Sequence, residues 1–298
     1  MQSRDLALFV QAARSGSLSQ AGRDLGLSPA TASARLSALE QDLGVRLMHR
    51  TTRSLTLTAE GQAFLAYATR ILDDLEEARA AVSGTEAPRG RLRVAVPAFF
   101  GRITITTALP EFLRRYPGLV LDMDYSDAFV NLVEQGFDVA IRIGNLPDSA
   151  LIARRLAPNA RVICAAPSYL ATHGAPQRPE DLADHDCVTM ANMRRWSFAR
   201  PGGPLTVEVS GRLLVNSGDA LRDAGLAGLG LVLKSTWDVG EDLRRGDLVP
   251  VLADHPLVDQ GAIWAVYPSA RLLAPKVRAF VDFFADHFAT KAADLPPA

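Results

Sequence analysis

Apolar residues near the start of the chain fall at helical intervals. Leu6, Phe9, Val10 and Ala13 recur three and four apart and stop at Gly16, as a helix does when glycine takes the left-handed turn at its end. Ser17 then reads as the N-cap of a short helix carrying Leu18, Ala21 and Leu25 and closed by Gly26. Ser28 caps a third helix. Pro29 takes its first position, where a missing N–H is no loss. That helix presents Ala32, Leu36, Leu39 and Leu43 to a core and ends at Gly44. Two short helices joined by a glycine-containing turn form a helix-turn-helix.

Polar and apolar residues alternate over residues 51–58, the pattern of a short two-stranded wing. Thr58 is placed to cap a long helix with Glu60 in its first turn, where negative charge is favoured. Phe64, Ala68, Ile71, Leu75, Ala78 and Val82 follow at spacings of 4, 3, 4, 3 and 4, a heptad seam. Such a helix spans roughly 40 Å. Alone it cannot bury its own seam, so a partner helix is implied; packing against the same chain is the alternative. Residues 83–90, SGTEAPRG, break the helix and read as a hinge.

From residue 91 the rhythm becomes strand and helix in alternation. Strands are expected at 92–96, 119–125, 137–143, 160–165, 188–191, 205–209, 212–215 and 262–267, with helices through Leu109, Phe112 and Leu113, over 129–135, and at 271–288. This is α/β architecture with a mainly parallel sheet, and about 200 residues suit two lobes. The organisation expected is 1–58 for the DNA-binding domain, 59–87 for the linker helix and hinge, and 88–298 for a two-lobed domain. Its first lobe takes about 91–161 and 268–298, its second about 162–267. Ligands in such folds bind in the crevice beyond the carboxyl ends of the strands.

Composition narrows the function classes. The 298 residues carry a net charge of −1, so any positive surface must be local. Residues 1–60 hold seven arginines against five carboxylates, with Arg46, Arg50 and Arg53 grouped beside His49. No run approaches a membrane span and the first residues do not form a signal peptide, so a cytoplasmic location with no membrane partner is expected. Cys164 and Cys187 have no metal-ligand spacing, and the five histidines form no HxxxH or HExxH. No GxGxxG or Walker motif occurs. No metal and no cofactor are expected.

Residues 17–58, SLSQAGRDLGLSPATASARLSALEQDLGVRLMHRTTRSLTLT, resemble the winged helix-turn-helix of LysR-type transcriptional regulators. LVEQGFDVAIRIG, LIARRLAPNARVICAAPSYL and AIWAVYPSARLLAPKVRAFVDFF resemble the effector domains of one large branch of that family. The resemblance covers nearly the whole chain, in the family's order. It implies a winged helix-turn-helix with a long dimerisation helix, followed by a two-lobed α/β effector domain like that of periplasmic binding proteins. The implied partners are double-stranded DNA, a small-molecule effector in the cleft, and further copies of the chain, as a homodimer that assembles into a tetramer.

In a helix-turn-helix the start of the second helix enters the major groove. The candidates there are Ser28, Pro29, Thr31, Ser33 and Arg35, with Arg50 for a phosphate and Arg53 at the wing tip for the minor groove. A solvated helix face is the bland reading of each. The family often carries a basic residue where this chain has Ala34. In the cleft the resemblance points to the turn after the first strand: Pro97, Ala98, Phe99 and Phe100. The helix after that turn can offer backbone N–H groups to an anion or a carbonyl; related chains often place serine at the position of Phe99, so an aromatic ring here suggests an effector with an apolar or aromatic body, and packing of Phe99 in the core is the alternative. Arg142 is either a ligand-side charge or one half of a structural pair. Asn192, Asn216 and Ser217 are expected at strand ends facing the cleft, with Arg194 and Arg195 nearby. Lys234 stands where similar chains are usually uncharged, and marks either a distinct effector or a surface change. Two other classes compete. A solute-binding protein has no use for residues 1–85. An enzyme needs a nucleophile, base and orienting group, or a metal set, and Asp127, Asp138 and Asp148 have no histidine or cysteine at an informative spacing.

Overall fold

A computed structural model describes residues 1–50, 55–82, 87–128, 130–146, 149–190, 193–258, 261–268 and 274–291. Contacts divide the chain into two compact units, Met1–Arg91 with Val133–Gly136, and Leu92–Leu132 with Phe137–Ala298.

In the first unit, α1 (Ser3–Ser15), α2 (Leu18–Asp24) and α3 (Pro29–Leu43) enclose Leu6, Leu8, Phe9, Ala21, Ala32, Leu36 and Leu39. The caps lie where the residue types require them. Ser17 and Ser28 accept the backbone N–H groups of Gln20 and Thr31 at 3.3 and 3.2 Å, while Gly16 and Gly44 close α1 and α3 with φ of 64° and 70°. Strands β1 (Met48–Arg50) and β2 (Leu55–Leu57) pair antiparallel, with Met48 opposite Leu57 and Arg50 opposite Leu55. The wing therefore begins earlier than the alternation over 51–58 suggested. Leu47 and Met48, 1% and 2% exposed, hold its first strand on the core.

Helix α4 (Ala59–Val82) divides the expected seam. The Phe64 ring packs tilted against Phe9 at 5.5 Å and Ala68 is fully buried, so these positions serve the chain's own core. Ile71, 40% exposed, and Ala78 point outward together with Tyr67, 58% exposed. The side chain of Val82 lies outside the described set.

The second unit opens with β3 (Gly90–Val96). Next come α5 (Ala98–Phe100), a π-helical turn Gly101–Ile105 and α6 (Thr106–Arg115) without interruption. β4 (Leu119–Tyr125), β5 (Val139–Gly144) and β6 (Ile152–Pro158) complete the first pass, and α7 (Leu132–Gln135), between β4 and β5 in the chain, falls from Val133 onward in the first unit. The chain then builds a second lobe from β7 (Arg161–Ala165), α8 (Pro167–His173), β8 (Thr189–Met190), β9 (Arg195–Phe198), β10 (Leu205–Glu208), β11 (Leu214–Val215), α9 (Gly218–Leu226), β12 (Val232–Ser235), α10 (Thr236–Arg245) and β13 (Val249–Val251). It returns through β14 (Ala262–Tyr267) and α11 (Pro275–Lys291).

The first-lobe sheet has the order β4-β3-β5-β14-β6; the second is centred on β12-β7-β13. Two expectations need correction. Strand 262–267, assigned to the second lobe, lies between β5 and β6 in the first-lobe sheet. The sheets are mixed rather than mainly parallel, because β14 enters from the opposite lobe and runs antiparallel to both neighbours, while β3 with β5 and β8 with β11 run parallel. α11 buries Val277, Phe280, Val281, Phe284 and Phe288 against the first sheet, each contributing about 1.5–3 kcal/mol on full burial. Trp237 of α10 reaches into the same core, edge-on to Phe100 at 6.2 Å, and its indole N–H donates to the Pro158 carbonyl at 3.1 Å. Asn159 and Ser235, bonded at 2.5 Å, sit beside that crossing.

Candidate functional site

The residues singled out in the sequence fall on two surfaces. The first is the start of α3. Ser28, Pro29 and Thr31 are exposed and Ser33 is half-buried. The hydroxyls of Ser28 and Thr31 share a 2.8 Å hydrogen bond, so the cap also orients the threonine. Arg35 does not project freely as the helical spacing suggested. Its Nη1 donates to Asp5 Oδ1 at 2.8 Å, while Asp5 Oδ2 accepts the Gln2 N–H at 3.1 Å at the start of α1. One carboxylate thus caps α1 and holds the arginine of α3. Arg53 and the side chain of Arg50 lie outside the described residues.

The second surface is a cleft of about 460 Å³ between the lobes, within the usual range for small-molecule sites. Pro97, Phe99, Phe100 and Arg142 line it; Ala98, Asn216 and Ser217 do not. Asn216 is exposed at the end of β11, and Ser217 caps α9 by accepting the Ala220 N–H at 3.4 Å. Asn192 lies outside the described residues, and Arg194 and Arg195 are exposed away from the cleft lining. Adjacent aromatics have separate jobs. Phe100, 1% exposed, belongs to the first-lobe core, whereas Phe99, 6% exposed, turns toward the cleft.

Three cations surround the Phe99 ring. Arg102 and Arg222 place Cζ 5.4 Å from its centroid, and Lys234 places Nζ at 5.5 Å, within reach of the negative ring face. Lys234 is no surface residue. It is 6% exposed, paired with Asp238 at 2.7 Å, and donates to the Gly218 carbonyl at 3.2 Å. With the ring on its remaining side, its ammonium is satisfied by the protein. Arg222 is anchored by two 2.6 Å bonds to the fully buried Asp242. Arg142 of β5 donates to the Val130 carbonyl at 2.8 Å, and burial lowers its pKa from the ordinary guanidinium value.

The helical and strand periodicities did not reveal Asn145, Asn159, Arg161, Met190 or Met193, all of which line the cleft. Asn145, Asn159 and Met193 come from connections, which have no period to read, while Arg161 and Met190 stand at strand ends, where the apolar run marks the strand but not what its end faces. Asp127 was visible only as a loop carboxylate; it accepts N–H groups from Ala98 and Gly218. Cys164 and Cys187 are fully buried, and burial pushes both thiols up to about 12. Among the described residues no three His, Cys, Asp or Glu side chains group as metal ligands, and no helix is long and apolar enough to cross a membrane.

Comparison with known proteins gives this geometry a family. Residues 3–62 match the profile of the bacterial regulatory helix-turn-helix protein, lysR family, and residues 85–289 that of the LysR substrate binding domain. The HTH-type transcriptional regulator DmlR of Escherichia coli is 38% identical over 290 residues, covering 96% of this chain and 94% of its own. The solved structure of CrgA, a LysR-type transcriptional regulator from Neisseria meningitidis, is 34% identical with a TM-score of 0.62, covering 96% of this chain and 98% of that one. Full-length AphB, the Vibrio cholerae virulence activator, is 27% identical with a TM-score of 0.57 and covers 96% and 99%. With both profiles in the same order and DmlR matching almost end to end, the chain belongs to the LysR family and is a DNA-binding transcriptional regulator with an effector-binding domain.

Proposed function

We propose that this regulator senses a small organic anion with an apolar body, and reads DNA through Ser28, Pro29, Thr31, Ser33 and Arg35, with Arg50 and Arg53 contributing from the wing. The observation that carries the effector class is the charge of the cleft. Its described lining holds Arg142, Arg161 and Lys234 against Asp127 and Asp238, a positive balance that favours an anion. Val130, Met190, Met193 and Leu221 supply an apolar wall on the same cleft. The cleft is read as a sensor and not a catalytic centre, in keeping with relatives that are named as transcriptional regulators.

The outward face of α4, with Tyr67, Ile71 and Ala78, supports a homodimer formed by this helix, and the family resemblance supports its assembly into a tetramer. Effector binding acts by differential affinity for two arrangements of the lobes, which biases the paired DNA-binding domains.

The test has two arms. Genome-wide mapping of DNA bound by the purified protein is expected to return a few sharp sites with an interrupted dyad; diffuse binding refutes sequence-specific reading by these residues. Calorimetric titration with aliphatic and aromatic carboxylates and with the corresponding amines is expected to show binding by carboxylates. Binding confined to amines refutes the anion assignment.

A further inference from the structure

Asp127 stands in the loop after β4, on the first lobe, yet its carboxylate serves both lobes. Oδ1 accepts the N–H of Ala98, the first residue after the β3 turn, at 2.9 Å. Oδ2 accepts the N–H of Gly218, the first residue of α9 in the second lobe, also at 2.9 Å. Other contacts cross at the same corner. Arg102 of the first lobe pairs with Asp219 of the second at 3.0 Å, and Lys234 and Arg222 of the second lobe stand over the first lobe's Phe99. The same groups converge on Gly218: a Cβ there would meet Lys234 Nζ at 3.5 Å, Asp127 Oδ2 at 3.7 Å and Phe99 Cβ at 3.8 Å, ordinary van der Waals distances.

We propose that Asp127 is a latch that holds the two lobes together. A carboxylate can accept from both N–H groups at once. An asparagine cannot: one of its two faces is an NH₂ that opposes a second donor. The latch therefore favours the arrangement of the lobes described here over one in which they part. The regulatory consequence rests on reading this cleft as the effector site; the latch itself does not.

The experiment measures the distance between the lobes in full-length protein with no ligand added. Nitroxide labels on Glu111→Cys in the first lobe and Ala171→Cys in the second lie at exposed positions, and the buried native cysteines stay unlabelled. Labelled chains diluted into unlabelled ones give one intra-chain distance by double electron–electron resonance. The expected result is a single narrow distribution in the native chain and a second population in Asp127→Asn and Asp127→Ser. The ratio of closed to open chains should fall about ten-fold, the scale of losing one charge-assisted hydrogen bond. Asp124→Asn, an exposed carboxylate on the end of β4, serves as the control. Unchanged distributions in both Asp127 variants, in chains that melt like the native protein, overturn the latch. Calorimetry with carboxylates is a separate measurement, so failure of the effector assignment leaves this comparison standing, and the reverse holds as well.

Discussion

Gly61→Ala tests the joint between α4 and the winged domain. A Cβ built on Gly61 lies 1.9 Å from the carbonyl oxygen of Leu47 and 2.9 Å from its carbonyl carbon. The neighbour is backbone, so no rotamer change relieves the clash. The helix must retreat by about 1.1 Å, from 1.9 to the 3.0 Å below which real Cβ contacts are essentially absent. That movement acts on the bonds that seat α4: Thr58 N–H to the Leu47 carbonyl at 3.0 Å, and Thr58 Oγ1 to the Arg46 carbonyl at 2.7 Å. It also pulls on the Phe64–Phe9 contact beyond. Two hydrogen bonds at about 1 kcal/mol each and an overpacking strain of about 1–3 kcal/mol oppose a helix-propensity gain of about 1 kcal/mol. A net loss of about 3 kcal/mol is a large share of a small domain's stability, and should lower the melting temperature of the first unit by on the order of 15 °C. Circular dichroism melts of the native chain, Gly61→Ala and the exposed neighbour variant Gln62→Ala decide the matter. Gln62→Ala should melt with the native chain. If Gly61→Ala does so as well, the close approach of α4 to Leu47 does not constrain the fold and the argument fails.

Three further outcomes follow from individual side chains. Cys164 and Cys187, buried and with thiols raised to about 12, should not react with a thiol reagent at neutral pH until the chain is denatured; rapid labelling of native protein would contradict this. Desolvation lowers the pKa of His287 below 6.5, with Lys291 adding to the effect and Glu111 opposing it. The unfolded chain therefore binds the extra proton more readily, and stability is lost as pH falls from 6.5 toward the folded pKa. His287→Gln should flatten the fall in melting temperature between pH 7 and 5, and parallel curves would refute the assignment. Arg35→Ala should weaken operator binding with an unchanged salt slope, because Asp5 already neutralises the guanidinium; a slope reduced by about one would instead identify a phosphate contact.

The helices of the first unit were readable because each carries both its period and its punctuation. Ser17, Ser28, Gly16 and Gly44 mark ends by local backbone chemistry, which survives any tertiary arrangement. The α4 seam shows where periodicity stops informing. The spacing of Phe64, Ala68, Ile71 and Ala78 says that one face is apolar, and it says nothing of what covers each turn. The structure gives Phe64 and Ala68 to the chain's own core and leaves Ile71 and Ala78 outward. Strand 262–267 shows a second limit. Its apolar run predicts a buried strand, whereas its place between β5 and β6 depends on a chain crossing with no local signature.

The cleft was legible where one side chain breaks its surroundings and illegible where several act together. Arg142 stood out in an apolar strand, and Phe99 in a turn where related chains often have serine; both line the cleft. Lys234 also stood out, but its meaning reversed once its neighbours were known. A lysine beside Asp238, the Gly218 carbonyl and the Phe99 ring is a component of the corner where the lobes meet, and its charge is committed before a ligand arrives. That distinction bears on effector specificity. An ammonium with all its donors engaged contributes to the potential of the cleft but is a poor hydrogen-bond partner for a ligand, since a ligand would have to displace a 2.7 Å ion pair at a site that is 6% exposed. On the proposal that the effector is an anion, Lys234 adds to the potential of the cleft while its ammonium stays with Asp238 and the Gly218 carbonyl at the contact between the lobes.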